Sequence, residues 1–541
     1  MSYVTGLIFA LVSSACVVVT SRFALHVFQL ESYQLPGYRR AIYDNWRRAI
    51  LPGIISAVVN AVVFGALSLT ALRITEGLNT ELWKDALWLV GGAVVCVAAA
   101  AYVTRIFERK PARKPMVFTD RMNRLIAALA LTVFALAAVI EVFVRSTVIV
   151  LMFPAVSFLF VSLASVIVSP VEHRVNMGFF KDAQRILDER KDLIKIGITG
   201  SFGKTSVKFI LLSILSQKYE TLATPASFNT PMGVTRVVRE QLTPKHEAFI
   251  AEMGARHAGE IKELCDLIHP RYGILTSVGA QHLETFGSIE NVAKTKYELV
   301  ENLPEDGAIV FADDNGIAKS LFGKTTKPKA YLVGSFDHKL GAVANNVVTG
   351  TYGSKFDMTL PDGETVSCET KLLGAHNITN ILLAATLAHH IGLSAEEIKN
   401  GVSKTEPVEH RLQLISTGGA TVIDDAYNAN PTGAAAALSV LAKFPKRRII
   451  VTPGLVELGE EQDRHNKEFG VMMKDSVDVA ILVGATNEKA IREGLTGSGF
   501  PSEHIHSVTD LDAALATLAE LALTANDTIL FENDLPDNYR Q

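Results

Sequence analysis

Thr199-Gly200-Ser201-Phe202-Gly203-Lys204-Thr205-Ser206 gathers two glycines, a lysine and several hydroxyls into one short run. A β-like run, Ile194-Lys195-Ile196-Gly197-Ile198, leads into it, and a helical pattern follows through Leu215. Strand, glycine turn and helix start in that order cradle a phosphate, because backbone N–H groups and the helix N-terminus face the anion. In such a turn Lys204 reaches the β- and γ-phosphates and Thr205 holds Mg²⁺. The G-x4-G-K-[ST] spacing is not met literally, since position 198 is Ile rather than Gly. The candidate nucleotide contacts are therefore Thr199, Gly200, Ser201, Gly203, Lys204, Thr205 and Ser206.

Further polar clusters follow. Phe228-Asn229-Thr230-Pro231-Met232-Gly233-Val234 comes after the first helix, and Glu252-Met253-Gly254-Ala255 after an apolar strand-like run. Next come Gly259-Glu260-Ile261 and Thr276-Ser277-Val278-Gly279-Ala280-Gln281-His282-Leu283-Glu284. Phe286-Gly287-Ser288, Lys294-Thr295-Lys296 and Gly374-Ala375-His376-Asn377 with Asn380 come after these. Glu409-His410-Arg411-Leu412-Gln413, Asp424-Asp425-Ala426-Tyr427-Asn428-Ala429-Asn430-Pro431 and Glu457-Leu458-Gly459 with His465 complete the series. Taken singly, each has a bland explanation: His282 as a hydrogen-bonding surface histidine, Glu252 as a helix N-terminal acid, Asp424 and Asp425 as turn openers. Their order is what carries information.

In this order the stretches resemble the Mur ligase family over about residues 190–490. The T-G-S-x-G-K-T form resembles the ATP loop shared with folylpolyglutamate synthases. D-D-x-Y-N-A-N-P and E-M-G-A point to the MurF branch, the UDP-N-acetylmuramoyl-tripeptide–D-alanyl-D-alanine ligases. The resemblance implies ATP-dependent joining of a carboxylate to an amine through an acyl phosphate. It implies Lys204, Glu252, His282, Lys296 and Asp425 as the catalytic set. Thr205 and Glu252 would hold one Mg²⁺, and His282 with a carbamate on Lys296 would help place a second. Hard oxygen ligands of this kind suit Mg²⁺. The carbamate falls on Lys296 rather than Lys294 because Lys296-Tyr297-Glu298-Leu299 resembles the family's K-x-E-[LI] spacing. Asn377, with Asn380 in the same motif, would contact adenine. Arg411 would meet phosphate on domain closure, and Asp425 the nucleotide or its metal. Tyr427, Asn428 and Asn430 would shape the acceptor side.

The chain departs from that branch in three places. Apolar helices stand where the UDP-binding domain would be. Leu530-Phe531-Glu532-Asn533-Asp534-Leu535-Pro536-Asp537 replaces a K-G-S-[RN] ending. Position 410 is His where many relatives have Gly.

The elements that must position these groups divide the chain. Of 541 residues 48% are hydrophobic, and the mean hydropathy is +0.25. The apolar excess sits in the first third, so the net charge of -4 averages two unlike regions. The four cysteines, Cys16, Cys96, Cys265 and Cys368, form no CxxC pair, which argues against a disulfide framework or zinc–thiolate site. Apolar stretches at 3–20, 51–72, 86–104, 125–144 and 147–169 have the ~20-residue length that crosses a bilayer. A signal peptide would account for the first stretch alone. Arg22, Arg39, Arg40, Arg47 and Arg48 follow the first, and Arg105, Arg109, Lys110, Arg113, Lys114, Arg121 and Arg124 follow the third. The alternate connections hold little beyond Arg73, Lys84 and Arg145, so the positive-inside rule puts the N-terminus outside and the region after about 170 in the cytoplasm, with its ATP. Glu141 reads as an interfacial residue.

The expected architecture is an α-helical membrane domain (1–185, about five transmembrane helices), a P-loop α/β central ATP-binding domain (186–405) and a Rossmann-like α/β C-terminal domain (406–541). Strand-like runs at Arg448–Thr452, Val479–Val483 and 528–531 alternate with helical patterns in the last of these. A substrate cleft is expected between the two α/β domains. The expected partners are ATP, a carboxylate acceptor (a UDP- or lipid-linked muropeptide), an amino acid or dipeptide donor, and membrane lipid. No nucleic acid is expected. The expected location is the inner membrane, multi-pass, with cytoplasmic ligase domains. Rival readings are a ligase for a glutamate polymer, folate-like chain or secondary metabolite; a nucleotide-driven transporter, which lacks visible paired Walker and signature motifs; and a non-catalytic partner, against which the full residue set speaks.

Overall fold

The computed structural model describes residues 3–75, 82–108, 115–225, 228–279, 283–314, 316–334, 337–416, 419–427, 430–456 and 458–532. Arg109, Lys110, Arg113, Lys114, Ala280, Gln281, His282, Asn428, Ala429, Glu457 and the run Asn533 to Asp537 lie outside the described residues. The chain forms two compact units, residues 1–177 and residues 178–535.

The first unit is helical: α1 (Tyr3–Thr20), α2 (Arg22–Leu30), α3 (Leu35–Asp44), α4 (Trp46–Thr75), α5 (Leu82–Phe107), α6 (Asp120–Val139), α7 (Thr147–Leu151) and the part of α8 (Ser157–Glu189) up to Met177. Runs apolar on every side form helices because that backbone satisfies its own hydrogen bonds without water. Four helical stretches, Trp46–Ala66, Leu89–Phe107, Asp120–Val144 and Phe153–Glu189, are long and apolar enough to cross a membrane. The first expected span is bent: Gly6–Thr20 meets α2 at 47°, and the pair makes a fifth crossing if counted as one. The last expected span does not begin as one helix. After α6 a π-helical turn, Ile140–Val144, ends at left-handed Arg145, then α7 and a 3-10 turn, Phe153–Val156, precede α8. Buried hydroxyls inside the unit bond to carbonyls, Ser13 to Val150 at 2.7 Å and Ser14 to Ala130 at 2.8 Å. Glu141, read from sequence as interfacial, is buried in the π-helical turn and accepts from Thr147 Oγ1 at 3.2 Å. Helix α8 continues to Glu189, past the boundary expected at 185.

In the second unit β1 (Ile194–Thr199), β2 (Thr221–Ala223), β3 (Ala248–Glu252), β4 (Tyr272–Leu275), β5 (Ala308–Ala312) and β6 (Ala330–Val333) form a parallel sheet in the order β2-β3-β1-β4-β5-β6. Central strands of such a sheet are covered on both faces, which is why they read as continuous apolar runs. On one face α9 (Lys204–Leu215) packs with the helices Ala375–Ile391 and Ala395–Lys404. On the other lie α10 (Pro231–Gln241), α11 (Glu260–Ile268) and the helix Ile289–Asn302.

An antiparallel three-stranded sheet of β7 (Val343–Thr349), β8 (Ser354–Thr359) and β9 (Thr365–Thr370), which the sequence reading did not anticipate, precedes the helix Ala375–Ile391. The last sheet comprises β10 (Gln413–Ser416), β11 (Thr421–Asp425), β12 (Arg448–Thr452), β13 (Val479–Val483), β14 (Ile505–Val508) and β15 (Thr528–Glu532). Its order is β10-β11-β15-β12-β13-β14, parallel except for the antiparallel edge strand β10. The three strand-like runs of the sequence are β12, β13 and β15. In open parallel sheets ligands bind beyond the carboxyl ends of the strands, where β1, β3 and β11 deliver Thr199, Glu252 and Asp425.

Candidate active site

The turn between β1 and α9 is shaped by its glycines. Gly200 and Gly203 have φ of 146° and 81°, and a Cβ would lie 1.9 Å from Thr276 Oγ1 at the first and 2.9 Å from Asn380 Oδ1 at the second. A side chain at either position would fill the space against the turn. Ser201 is tied to the end of β4: its N–H donates to Ser277 O at 2.8 Å and its hydroxyl to Gly279 O at 3.0 Å. Thr199 Oγ1 donates to Met253 O at 3.0 Å, joining β1 to the end of β3. Ser206 sits in the first turn of α9, partly buried.

Lys204 folds back over the turn, its ammonium donating to Gly200 O at 2.7 Å and Ser201 O at 3.0 Å. Burial lowers its pKa to about 8, with the Arg411 charge adding to the fall and Glu252 opposing it. Glu252 ends the fully buried strand β3 and is itself buried. Its Oε2 accepts from Thr205 Oγ1 and from Lys208 Nζ, both at 3.0 Å, and its Oε1 from Asn229 Nδ2 at 3.1 Å. Burial works to raise the carboxyl's pKa, but Lys208, Lys204 and these hydrogen bonds outweigh it and hold the group below the usual carboxylate range. Thr205 and Lys208 are three residues apart on one face of α9, which lets both reach one carboxylate. Lys208 and Asn229 were not singled out as functional from sequence. A lysine one turn beyond Lys204 was the available signal.

Lys296, on the helix Ile289–Asn302, is buried. Burial brings its pKa down to about 7, the Lys204 charge lowers it further, and Glu260 and Glu298 oppose the shift. Asn377 and Asn380 are buried in the first turns of the helix Ala375–Ile391. Asn377 Nδ2 donates to Leu373 O at 2.8 Å and its Oδ1 accepts from Asn380 Nδ2 at 2.9 Å, and Asn380 approaches the turn at Gly203. Thus Lys204, Thr205, Glu252 and Asn380 come together around one glycine turn, and Lys296 is near enough to feel the Lys204 charge.

Arg411 packs its guanidinium over the Tyr427 ring at 4.9 Å. It is flanked by His410 and Leu412, both left-handed with φ of 59° and 46°. A left-handed backbone at position 410 is one that suits glycine. Here His410 Nδ1 meets Asp424 Oδ2 at 2.7 Å, a contact that holds the side chain in that conformation. Asp425 accepts from Leu412 N at 3.1 Å and faces Glu532 across the β11–β15 pairing. Burial raises Asp425 to about 6 and raises Glu532 well above the carboxylate range, and neither oxygen of Glu532 has a hydrogen-bond partner among the described residues. Asp425 thus lies beside another acid at the end of β11. Asn430 caps the helix Pro431–Leu441, accepting from Gly433 N at 2.9 Å. His465 lies 3.2 Å from Glu468.

The chain matches the family model "Mur ligase middle domain" over residues 198–388 and "Mur ligase, glutamate ligase domain" over residues 410–532. The UDP-N-acetylmuramoyl-tripeptide--D-alanyl-D-alanine ligase of Mycobacterium tuberculosis (strain H37Rv) is 35% identical over 350 residues, 60% of this chain and 68% of the relative. The chain belongs to the Mur ligase family. The Escherichia coli (strain K12) ligase of the same name is also 35% identical, over 53% of this chain and 64% of its own length, so this chain spans just under two thirds of that relative. In fold it is similar to MurF from Acinetobacter baumannii (TM-score 0.61, 23% identity, 67% of this chain, 78% of that one). It is similar also to MurF ligase from Thermotoga maritima in complex with ADP (TM-score 0.58, 22% identity, 66% and 80%). Both Mur ligase models lie within the second unit and leave residues 1–197 unmatched.

Replacing Lys208 with Met leaves the Glu252 carboxylate buried beside an apolar chain. Breaking a buried pair in this way costs about 3–5 kcal/mol. A lower denaturation midpoint of the full chain in detergent is expected, partly recovered by Mg²⁺ and nucleotide as replacement countercharge. An unchanged midpoint would contradict the pairing.

Proposed function

We propose that this Mur ligase joins a carboxylate to an amine at the expense of ATP, through an acyl phosphate, in the synthesis of peptidoglycan precursors in the manner of MurF. The contact between Thr205 and Glu252 beneath the glycine turn carries the reading. A hydroxyl and a carboxylate 3.0 Å apart, both hard oxygen donors, stand where a phosphate-bound cation would sit. Thr205 and Glu252 would hold Mg²⁺, which supplies charge neutralisation at the transferring phosphoryl group.

The remaining steps belong to this chain's own residues. The open backbone of Gly200 and Gly203 admits the triphosphate, and Lys204 leaves the turn carbonyls to meet the γ-phosphate. The acceptor carboxylate oxygen attacks the γ-phosphorus and ADP departs. The amine nitrogen then attacks the acyl carbon, loses a proton, and inorganic phosphate leaves. Lys204 and Arg411 stabilise charge on the transferring oxygens. Closure around Arg411 keeps water from the acyl phosphate. Lys296, with its pKa near neutrality, has the free amine that adds CO₂, which supports its assignment as the carbamate. His282 completes that metal site in this reading. Asn377 and Asn380 form the adenine side.

The relatives' name indicates a UDP-linked muropeptide acceptor and a D-alanyl-D-alanine donor. The apolar helices favour a second reading, an acceptor linked to lipid at the bilayer face. In both readings the chain is a multi-pass protein of the inner membrane with its ligase unit cytoplasmic. The outward-facing apolar residues of the helices, such as Val62, Val94, Leu131 and Val148, support that placement. The domains follow as 1–185, 186–405 and 406–541.

Phosphate release by the purified full chain should require ATP, Mg²⁺, an amine and a carboxylate together. Turnover without the amine and carboxylate would refute the ligase reading. A faster reaction with UDP-linked than with lipid-linked tripeptide would remove the second acceptor reading. Lys204→Ala should lower turnover by about 10²–10³-fold or more with the fold intact, and normal turnover would refute its role. Lys296→Ala should be inactive, unresponsive to bicarbonate and restored by short carboxylic acids. In the native chain the neutral amine grows as pH rises through about 7, so the bicarbonate requirement should be steeper below that pH. A requirement flat across pH 6 to 8 (about one unit either side of the lysine's midpoint) would argue against the carbamate.

A further inference from the structure

The helical unit holds a cavity that ligation does not use. It measures about 460 Å³ and lies between the α2–α3 corner, the start of α6 and the stretch of α8 from Ser165 to Glu172. Its charged lining groups are Arg121 and Glu172. Glu172 is buried and both its oxygens are taken by Arg124, Nε to Oε1 at 2.5 Å and Nη2 to Oε2 at 2.9 Å. Arg121 stands 3.9 Å from the same carboxylate, so two guanidinium charges share one carboxylate and the three groups together carry one net positive charge.

Arg121 is held by geometry. Its guanidinium lies 4.0 Å from the centre of the Tyr33 ring. Tyr33 and its neighbour Ser32 both have left-handed backbones, φ of 63° and 53°, closed by a bond from Tyr33 N to Phe28 O at 2.7 Å. Two adjacent strained residues persist only where the surroundings fix them. On the opposite wall Pro170 lies inside α8, so the carbonyl of Val166 lacks its usual helical donor, and exposed Ser169 also lines the cavity. The rest of the wall is apolar, with Phe28, Leu35 and Leu125.

We infer that this cavity binds the phosphodiester head of an anionic glycerophospholipid, with the phosphate on Arg121 and the start of a chain along the apolar wall. The inference rests on the membrane placement proposed above. That placement sets Arg121 and Arg124 at the cytoplasmic ends of the spans, against the leaflet that carries anionic lipid. The one net positive charge of Arg121, Arg124 and Glu172 matches one phosphodiester charge. Among the described residues Glu172 is the one carboxylate lining the cavity and it is already paired, so none is left to hold a cationic head, and the apolar wall has no use for free phosphate.

The test uses the full chain, stripped of lipid in a neutral detergent and titrated with phosphatidylglycerol, phosphatidylcholine or inorganic phosphate, with bound species counted by native mass spectrometry. One phosphatidylglycerol should be retained about tenfold more tightly than phosphatidylcholine. Arg121→Gln should abolish the preference, and exposed Arg40→Gln should leave it unchanged. Ser169→Phe, which narrows the mouth and spares every charge, should weaken retention in a chain whose melting temperature is unaltered. Equal retention of the two lipids, displacement of lipid by inorganic phosphate, or full retention by both Arg121→Gln and Ser169→Phe would overturn the inference. A chain recovered from cells without detergent would instead overturn the membrane placement itself.

Discussion

A carboxylate that has lost its water organises the second unit. β3 is buried along its whole length and ends in Glu252, so the charge at its tip must be met by protein. Thr205, Lys208 and Asn229 meet it from two directions. Two of these lie on α9, which fixes the helix's rotation, and that rotation needs the chain to turn sharply after β1. The glycine conformations at 200 and 203 are what make the turn possible. Strand order, helix rotation and loop conformation thus answer to one buried charge.

That dependence explains which parts could be read from the amino-acid order. The glycine turn was legible because strand, turn and helix are contiguous, and β12, β13 and β15 because short apolar runs between helical patterns have few other uses. Partners brought together by the fold were not. Lys208 reaches Glu252 across 44 positions and Asn229 across 23. In the helical unit, composition gave the lengths of the apolar stretches, but not the 47° bend after Thr20 or the break between α6 and α8. The sheet of β7, β8 and β9 was missed because its polar, alternating strands resemble surface loop. His282, Asn428 and Glu457 lie outside the described residues, so their part in the site rests on resemblance alone.

The departures from the MurF branch turn out to be coupled to local physics. His410 occupies a left-handed position that suits glycine, and Asp424 is the partner that lets an imidazole stay there. Glu532, in the stretch that departs from the K-G-S-[RN] ending, lies beside Asp425 in the β11–β15 pairing, and burial raises both acids.

The ammonium of Lys208 gives the Glu252 carboxylate an internal counterion, both groups being almost fully buried. The fold itself thus keeps the acid at the tip of β3 charged, without drawing on solvent.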